Sequence, residues 1–314
     1  MLWKSIKNNM KITILTLALV LFCTGCSGVE KKNNGAKVTD SLGNTVYVPK
    51  NARVVSCYDS FSECWLLSGG ELVGVTEDAI TEHKLKVGEN TDVIGSVKAP
   101  NLEKIISLDP DYIIFSADLT AHLALKESLD NLNIPYGYFR VDTFNDYKAL
   151  MRQFCTVNER EDLFKSKVLA VEDKILEIKS KIPKNDYSFL LLRAYATGVK
   201  AKTDDNLAGI ILKEMGLINI AEKDKSILED LSYEHIIKSE PDYIFVLTMG
   251  NEDTALSFFE ANFLKNPAFA ELSAVKDQKY YILPKELFHY KPNDRWSESY
   301  EYIARLIWPS VFTK

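Results

Sequence analysis

Apolar residues in this chain follow two rhythms. Short unbroken runs of five to eight residues alternate with stretches in which apolar positions recur every three or four residues. The first rhythm predicts buried strands, the second amphipathic helices, and their alternation predicts an α/β architecture. The segment Val38 to Pro49 alternates apolar and polar positions around Gly43-Asn44 and predicts a β-hairpin. Arg53 to Tyr58 then reads as a buried strand. Ser60 is placed to cap a helix that runs to Ser68, where Gly69-Gly70 stops it, and Glu71 to Thr76 reads as a second strand. Further strands are expected at 112–117, 136–141, 187–195, 243–249 and 280–284, with helices at 119–132, 144–154, 206–215 and 296–307.

One helix stands apart. Between Glu159 and Ile182 the apolar residues Phe164, Val168, Val171, Ile175, Ile178 and Ile182 advance in steps of four and three, leaving a single stripe among charged residues. At 1.5 Å per residue this helix is about 35 Å long, the span of a domain, and Pro183 ends it. The α/β pattern is complete before it and starts again after it. The passage Leu102 to Ile114 (LEKIISLDPDYII) also returns as Tyr233 to Phe245 (YEHIIKSEPDYIF), with Glu103/Glu234, Pro110/Pro241 and Asp111/Asp242 among the identities. In each copy a short helix is broken at a proline and feeds an apolar strand. The expected fold is therefore α/β, two Rossmann-like lobes with mainly parallel central sheets joined by one long α-helix. Residues 38–157 form the first lobe, 158–183 the joining helix and 184–314 the second lobe.

The N-terminus changes the picture of where the chain works. Lys4, Lys7 and Lys11 precede an apolar run from Ile12 to Phe22, too short for a permanent membrane span, so residues 1–25 read as a targeting signal. The run ends in Cys23-Thr24-Gly25-Cys26. This resembles a bacterial lipobox, with Cys26 as the lipidated first residue of the mature chain and residues 26–37 as a polar tether; an ordinary cleaved secretory signal is the alternative. Net charge over the 314 residues is −6, and the signal contributes only lysines, so the remainder is more acidic still. An acidic chain with no basic run is a poor nucleic-acid ligand. Cys57, Cys64 and Cys155 contain no CxxC, are odd in number and read as small buried apolar residues rather than a disulfide framework.

The ordered set of hairpin, VTDSLGNTVYVP…ARVVS, first-lobe segments LVGVT and IGSVKAPNLEKIISLDPDYII, long helix and closing segment NPAFAELSAVKDQKYYILP resembles the substrate-binding lipoproteins of ABC importers for iron-siderophore, haem and cobalamin. The likeness runs from about Val38 to Pro309. It implies a receptor lipid-anchored on the extracytoplasmic face of the cell membrane. Its partners would be a dimeric ABC permease with its ATPase, and a small-molecule metal chelate held between the lobes. It also implies permease docking through one acidic residue per lobe, which the matching motifs assign to Glu103 and Glu234. No cofactor is called for.

Open α/β lobes bind ligands beyond the carboxyl ends of their strands. Those ends carry Tyr58, Arg193, Tyr195, His289, Arg295 and Trp296, with Phe288 and Tyr290 alongside. Aromatic faces and guanidinium forks suit a bulky, partly anionic ligand such as a metal chelate or tetrapyrrole. A zinc- or manganese-type receptor is a second reading, built on His83, His122 and His289 with Asp118. A sensor lipoprotein presenting the same lobes is a third. An enzyme is not indicated, because GxSxG, HExxH, P-loop and GxGxxG motifs do not occur.

Overall fold

A computed structural model describes residues 35–313. The targeting signal at 1–25, Cys26 and nearly all of the tether lie outside the described residues. The first lobe opens with an antiparallel hairpin of β1 (Ala36–Thr39) and β2 (Thr45–Val48). Asp40 closes it, its Oδ1 accepting the Leu42 and Asn44 N–H groups at 2.9 and 2.8 Å. Then come β3 (Val54–Ser56), β4 (Leu72–Val75), β5 (Asp92–Val93), the small antiparallel pair β6 (Gly95–Ser96) and β7 (Ala99–Pro100), β8 (Tyr112–Ser116) and β9 (Tyr136–Phe139). The first-lobe sheet has the order β5-β4-β3-β8-β9 and is parallel throughout. The second lobe holds β10 (Ser188–Tyr195), β11 (Gly198–Ala201), β12 (Ile218–Asn219), β13 (Tyr243–Thr248) and β14 (Tyr280–Ile282), in the order β11-β10-β13-β14 with β12 also on β10. Only β11 runs antiparallel there. The two separate, mainly parallel sheets are those the apolar runs predict.

The repeated passage has a physical reason in the sheets. In each copy the Pro is buried and the Asp after it turns back to the neighbouring central strand. Asp111 Oδ2 accepts the Arg53 N–H at 2.7 Å, just before β3; Asp242 Oδ2 accepts the Ser188 N–H at 2.7 Å, at the start of β10. Each carboxylate thus satisfies a backbone donor at the mouth of a parallel pair and fixes which residue starts it. The residue before each proline, Asp109 or Glu240, takes a left-handed conformation (φ 47° and 42°), which reverses the chain between helix and strand. Asn101 and Ser232 cap the two short helices, Leu102–Ser107 and Tyr233–Ser239, through their N3 N–H groups.

The long helix is continuous from Glu161 to Lys181 but not uniformly α. Its segment Lys165–Leu169 is a π turn between Glu161–Phe164 and Ala170–Lys181. Such a bulge weakens a carbonyl's ladder bond, and the Tyr147 hydroxyl donates to Lys167 O at 3.2 Å within it. Periodicity alone does not reveal this, since the stripe survives it: Phe164, Val168, Val171 and Ile175 are buried. Other departures are local. The expected helix 119–132 is two pieces, Thr120–Leu123 and Lys126–Leu132, and β11 had no apolar run to announce it. The helix after β3 spans Asp59–Leu67, so Ser60 lies inside it and does not cap it.

Each sheet divides its side chains between two faces, and one face of each meets in a common core. Tyr112 and Ile114 of β8, and Phe189 and Leu191 of β10, join Phe154, Phe164, Val168, Trp296 and Ile303 in that core. The alternate residues, Ile113 and Phe115 or Leu190 and Leu192, pack into an outer core belonging to their own lobe. Cys57, Cys64 and Cys155 are all free and buried.

Replacing Asp111 or Asp242 by alanine is expected to lower unfolding free energy by about 1 kcal/mol each, since both bonds are charge-assisted but exposed. Urea denaturation measures this, and two equal losses are the expected outcome if the carboxylates do the same job in the two lobes.

Candidate functional site

A gap of about 200 Å³ opens beyond the carboxyl ends of β3, β4, β13 and β14. The first lobe lines it with Glu63, Glu82 and His83, the second with Lys285, Tyr290 and Arg295 among others. A larger depression, about 660 Å³, runs between the long helix and the C-terminal helix Trp296–Ile307, past Lys174, Ile178, Glu301 and Phe312. It lies away from every strand's carboxyl end, so the smaller gap is the site that the α/β plan provides.

The loop after β14 crosses to the first lobe and closes much of this gap. The Tyr290 ring packs on His83, centroids 4.3 Å apart, and its hydroxyl donates to Glu82 Oε2 at 3.3 Å. Lys291 Nζ donates to Asp142 Oδ1 at 3.3 Å. Behind them Asn293, fully buried at φ 51°, donates from Nδ2 to Ser60 O at 3.0 Å and to Glu63 Oε2 at 2.5 Å, while its Oδ1 accepts the Cys64 thiol at 3.2 Å. Burial pushes the Glu63 carboxyl up, and the Asn293 bond opposes that shift.

A charged group stands near the carboxyl end of β10. Arg193 and Tyr195 end β10 on the face shared by Phe189 and Leu191. Arg193 Nε is buried and makes no hydrogen bond to the protein. His289 is lowered to about 4, first by burial and then by Arg193 and Lys285, with Asp59 of the first lobe opposing. It is therefore a neutral imidazole at pH 7. Lys285 Nζ donates to Gly250 O at 2.6 Å. Facing them, His83 Nε2 lies 2.9 Å from Asp59 Oδ2 but out of line for a directed N–H···O bond. The second-lobe side thus carries the cations Arg193, Lys285 and Arg295 together with Glu252 and Glu286, and the first lobe carries Asp59, Glu63 and Glu82.

The sequence-derived candidates divide accordingly. Arg193, Tyr195 and His289 stand together at the end of the second-lobe sheet, all half-buried. Arg295 lines the gap, with its guanidinium held by Glu298 at 2.9 Å. Tyr58 is half-buried against Phe61, centroids 4.8 Å apart, and burial raises its hydroxyl pKa. Trp296 is a correction. It is 0% exposed, packed edge-on to Phe144 in the common core, and presents no ring face to a ligand. Its place at the end of an aromatic-rich loop resembled a cleft position, but it begins an amphipathic helix and faces inward. The histidine-based metal reading loses two members. His122 Nδ1 accepts the Ser116 N–H at 3.0 Å and Nε2 lies 2.8 Å from Val97 O, so both nitrogens are engaged; Asp118 pairs with Arg140. Among the described residues no group of three or more His, Cys, Asp or Glu side chains is arranged around a metal-sized point.

Residue reading missed Asp59, Glu63, Lys285 and Asn293. The first three sit in the strand-end stretches or the helix after them, and only their charge marks them. Asn293 carries no sequence signal, because its role depends on a left-handed backbone and on partners more than 200 residues away.

With this geometry in view, comparison with known proteins is decisive. Residues 54–287 match the model of the periplasmic binding protein family. The chain belongs to that family. It is 28% identical over 89% of its length, and 92% of the other's, to YhfQ of Bacillus subtilis, assigned by name to ABC-transporter substrate-binding lipoproteins. The petrobactin-binding protein YclQ of the same species is 26% identical over 81% of this chain and 85% of its own. Among solved structures, haem-complexed IsdE of Staphylococcus aureus covers 82% of this chain and 99% of its own, at a TM-score of 0.67 and 18% identity, which bears on the fold. The protein is a substrate-binding component of an ABC importer and not an enzyme.

Protonating His289 has a defined cost. Its folded value of about 4 lies below the usual 6.5, so stability from the neutral ring is complete above about pH 6.5 and is lost as pH falls toward 4. Unfolding free energy at pH 4.5 should fall below that at pH 7 by an amount that shrinks by about 2 kcal/mol in His289→Gln. Denaturant titrations of both proteins at the two pH values measure it.

Proposed function

We propose that the gap between the lobes captures an anionic metal chelate (iron-siderophore, haem or corrinoid) and that the loaded protein delivers it to a membrane permease. The observation that carries this reading is the unpartnered Arg193 Nε at the carboxyl end of β10, with Lys285 and the neutral His289 beside it. A buried guanidinium N–H without a partner is costly unless a ligand oxygen meets it. Carboxylate, phenolate or propionate oxygens supply that match, and Tyr195, Tyr58 and Tyr290 offer ring faces for the organic body. The gap as it stands is smaller than the 300 Å³ or more usual for ligand pockets. Binding therefore requires Tyr290 to move off His83, a side-chain and loop rearrangement rather than a wide hinge motion.

The outward parts follow the same reading. Glu103 and Glu234 are exposed in the first turns of their helices and serve as the permease contacts, one per lobe. Charges in such places set register and encounter rate more than affinity. Cys26 carries the lipid and residues 26–37 tether lobes 38–157 and 184–314, braced by 158–183, to the extracytoplasmic face of the membrane.

Two tests follow. Ferric citrate, ferric petrobactin, haemin and cyanocobalamin are titrated into the purified protein and followed by tryptophan fluorescence. At least one is expected to bind, and Arg193→Ala to weaken it about tenfold or more with unchanged circular dichroism; no binding by any of the four, or an Arg193→Ala variant that binds as well as wild type, contradicts the reading. In the second, Glu103→Ala with Glu234→Ala is expected to abolish cellular uptake while ligand affinity stays intact; lost affinity in that variant removes the docking role.

A further inference from the structure

The two docking helices share more than a glutamate. Ile106 and Ile237, one turn beyond Glu103 and Glu234, are the equivalent residues of the two copies, and both are large apolar side chains left exposed, at 37% and 38%. Residues three apart share a helix face, so each lobe presents a carboxylate and a branched apolar side chain side by side. Their preceding neighbours, Ile105 and Ile236, are fully buried and account for how these helices pack. The exposed isoleucines do nothing for either lobe's core.

The charges around each pair are handled alike as well. The residue after each glutamate is basic or titratable, and in each lobe an acid from the preceding segment engages it: Lys104 Nζ lies 3.6 Å from Asp92 Oδ1, and His235 Nδ1 lies 2.5 Å from Asp224 Oδ2. Neither Glu103 nor Glu234 forms an ion pair among the described residues. In each lobe the neighbouring nitrogen is thus taken up by another acid, and one carboxylate without an ion pair is left beside one isoleucine. A single exposed isoleucine is unremarkable. The same one at the same register in both lobes, each beside an unpaired acid, is a pattern.

We propose that Ile106 and Ile237 are contact residues for the permease, each inserting into an apolar depression next to a basic side chain, once on each of two equivalent permease subunits. This rests on the docking reading above and adds to it the apolar half of each contact. Apolar contact supplies the slow dissociation that a rim charge does not. The occupant is a two-fold partner because the feature itself is written twice.

The test is equilibrium binding of the purified protein to its nucleotide-free permease–ATPase complex in lipid nanodiscs. Ile106→Ser with Ile237→Ser is expected to weaken binding about tenfold, chiefly through faster dissociation, and each single change about threefold. Both sites are exposed, so the urea midpoint and the fluorescence response to the chelates should not change. Wild-type affinity in the isoleucine double variant, with weakened binding in Glu103→Ala/Glu234→Ala, overturns this proposal and leaves the docking helices in place. Wild-type binding by the glutamate double variant overturns the docking reading itself, and this proposal with it. A loss confined to one isoleucine overturns the two-fold contact.

Discussion

Everything functional in this molecule depends on a buried seam that ties the lobes together. Asn293 bonds the first lobe's helix at Ser60, Glu63 and Cys64, Trp296 packs on Phe144, and the Lys167–Asp294 pair at 2.8 Å fastens the long helix to the same loop. Trp296 and the stripe Phe164, Val168, Val171 and Ile175 share one core with both sheets. Truncating a buried tryptophan costs roughly 3–5 kcal/mol, a large share of a protein's stability, so the lobes do not part at this seam under native conditions.

The seam explains the character of the gap above it. Lobes fixed along one edge leave room for side chains and a loop to move, and little else. The Tyr290 loop meets the first lobe through one aromatic contact and two long bonds of 3.3 Å. The fixed elements are Arg193 and Tyr195 on a central strand. The same rigidity holds the helices Leu102–Ser107 and Tyr233–Ser239 at a constant separation.

Much of this was legible in the sequence, for reasons that differ by element. β13 and the Phe189–Leu192 stretch of β10 are apolar runs because helices cover both faces of their sheet, and the C-terminal helix was read to its residue limits, Trp296–Ile307. The PDY repeat announced two similar lobes because one backbone problem, satisfying the first N–H of a central strand, is solved twice by the same carboxylate. What stayed hidden depends on tertiary partners. The π turn at Lys165–Leu169 keeps the stripe intact, and Asn293 works through a left-handed backbone and distant acceptors. Trp296 was misread since an aromatic at a loop's end looks the same whether it faces a ligand or a core. Arg193 drew notice in the sequence because a guanidinium near the end of an apolar strand needs a partner, and its buried Nε has none in the protein.

The central claim is that the seam holds the lobes, and with them the helices Leu102–Ser107 and Tyr233–Ser239, in one fixed relation whether or not the gap is filled. Ser107 and Lys238 are exposed on those helices and Cys57, Cys64 and Cys155 are buried, so Ser107→Cys with Lys238→Cys, in a protein with Cys23 and Cys26 replaced by serine, accepts a pair of spin labels selectively. Pulsed electron–electron distance measurement then reads the separation directly. The account predicts one narrow distribution without ligand that moves by no more than a few ångströms when a bound chelate is added. A broad or two-peaked distribution, or a shift on the scale of a domain rotation, contradicts it.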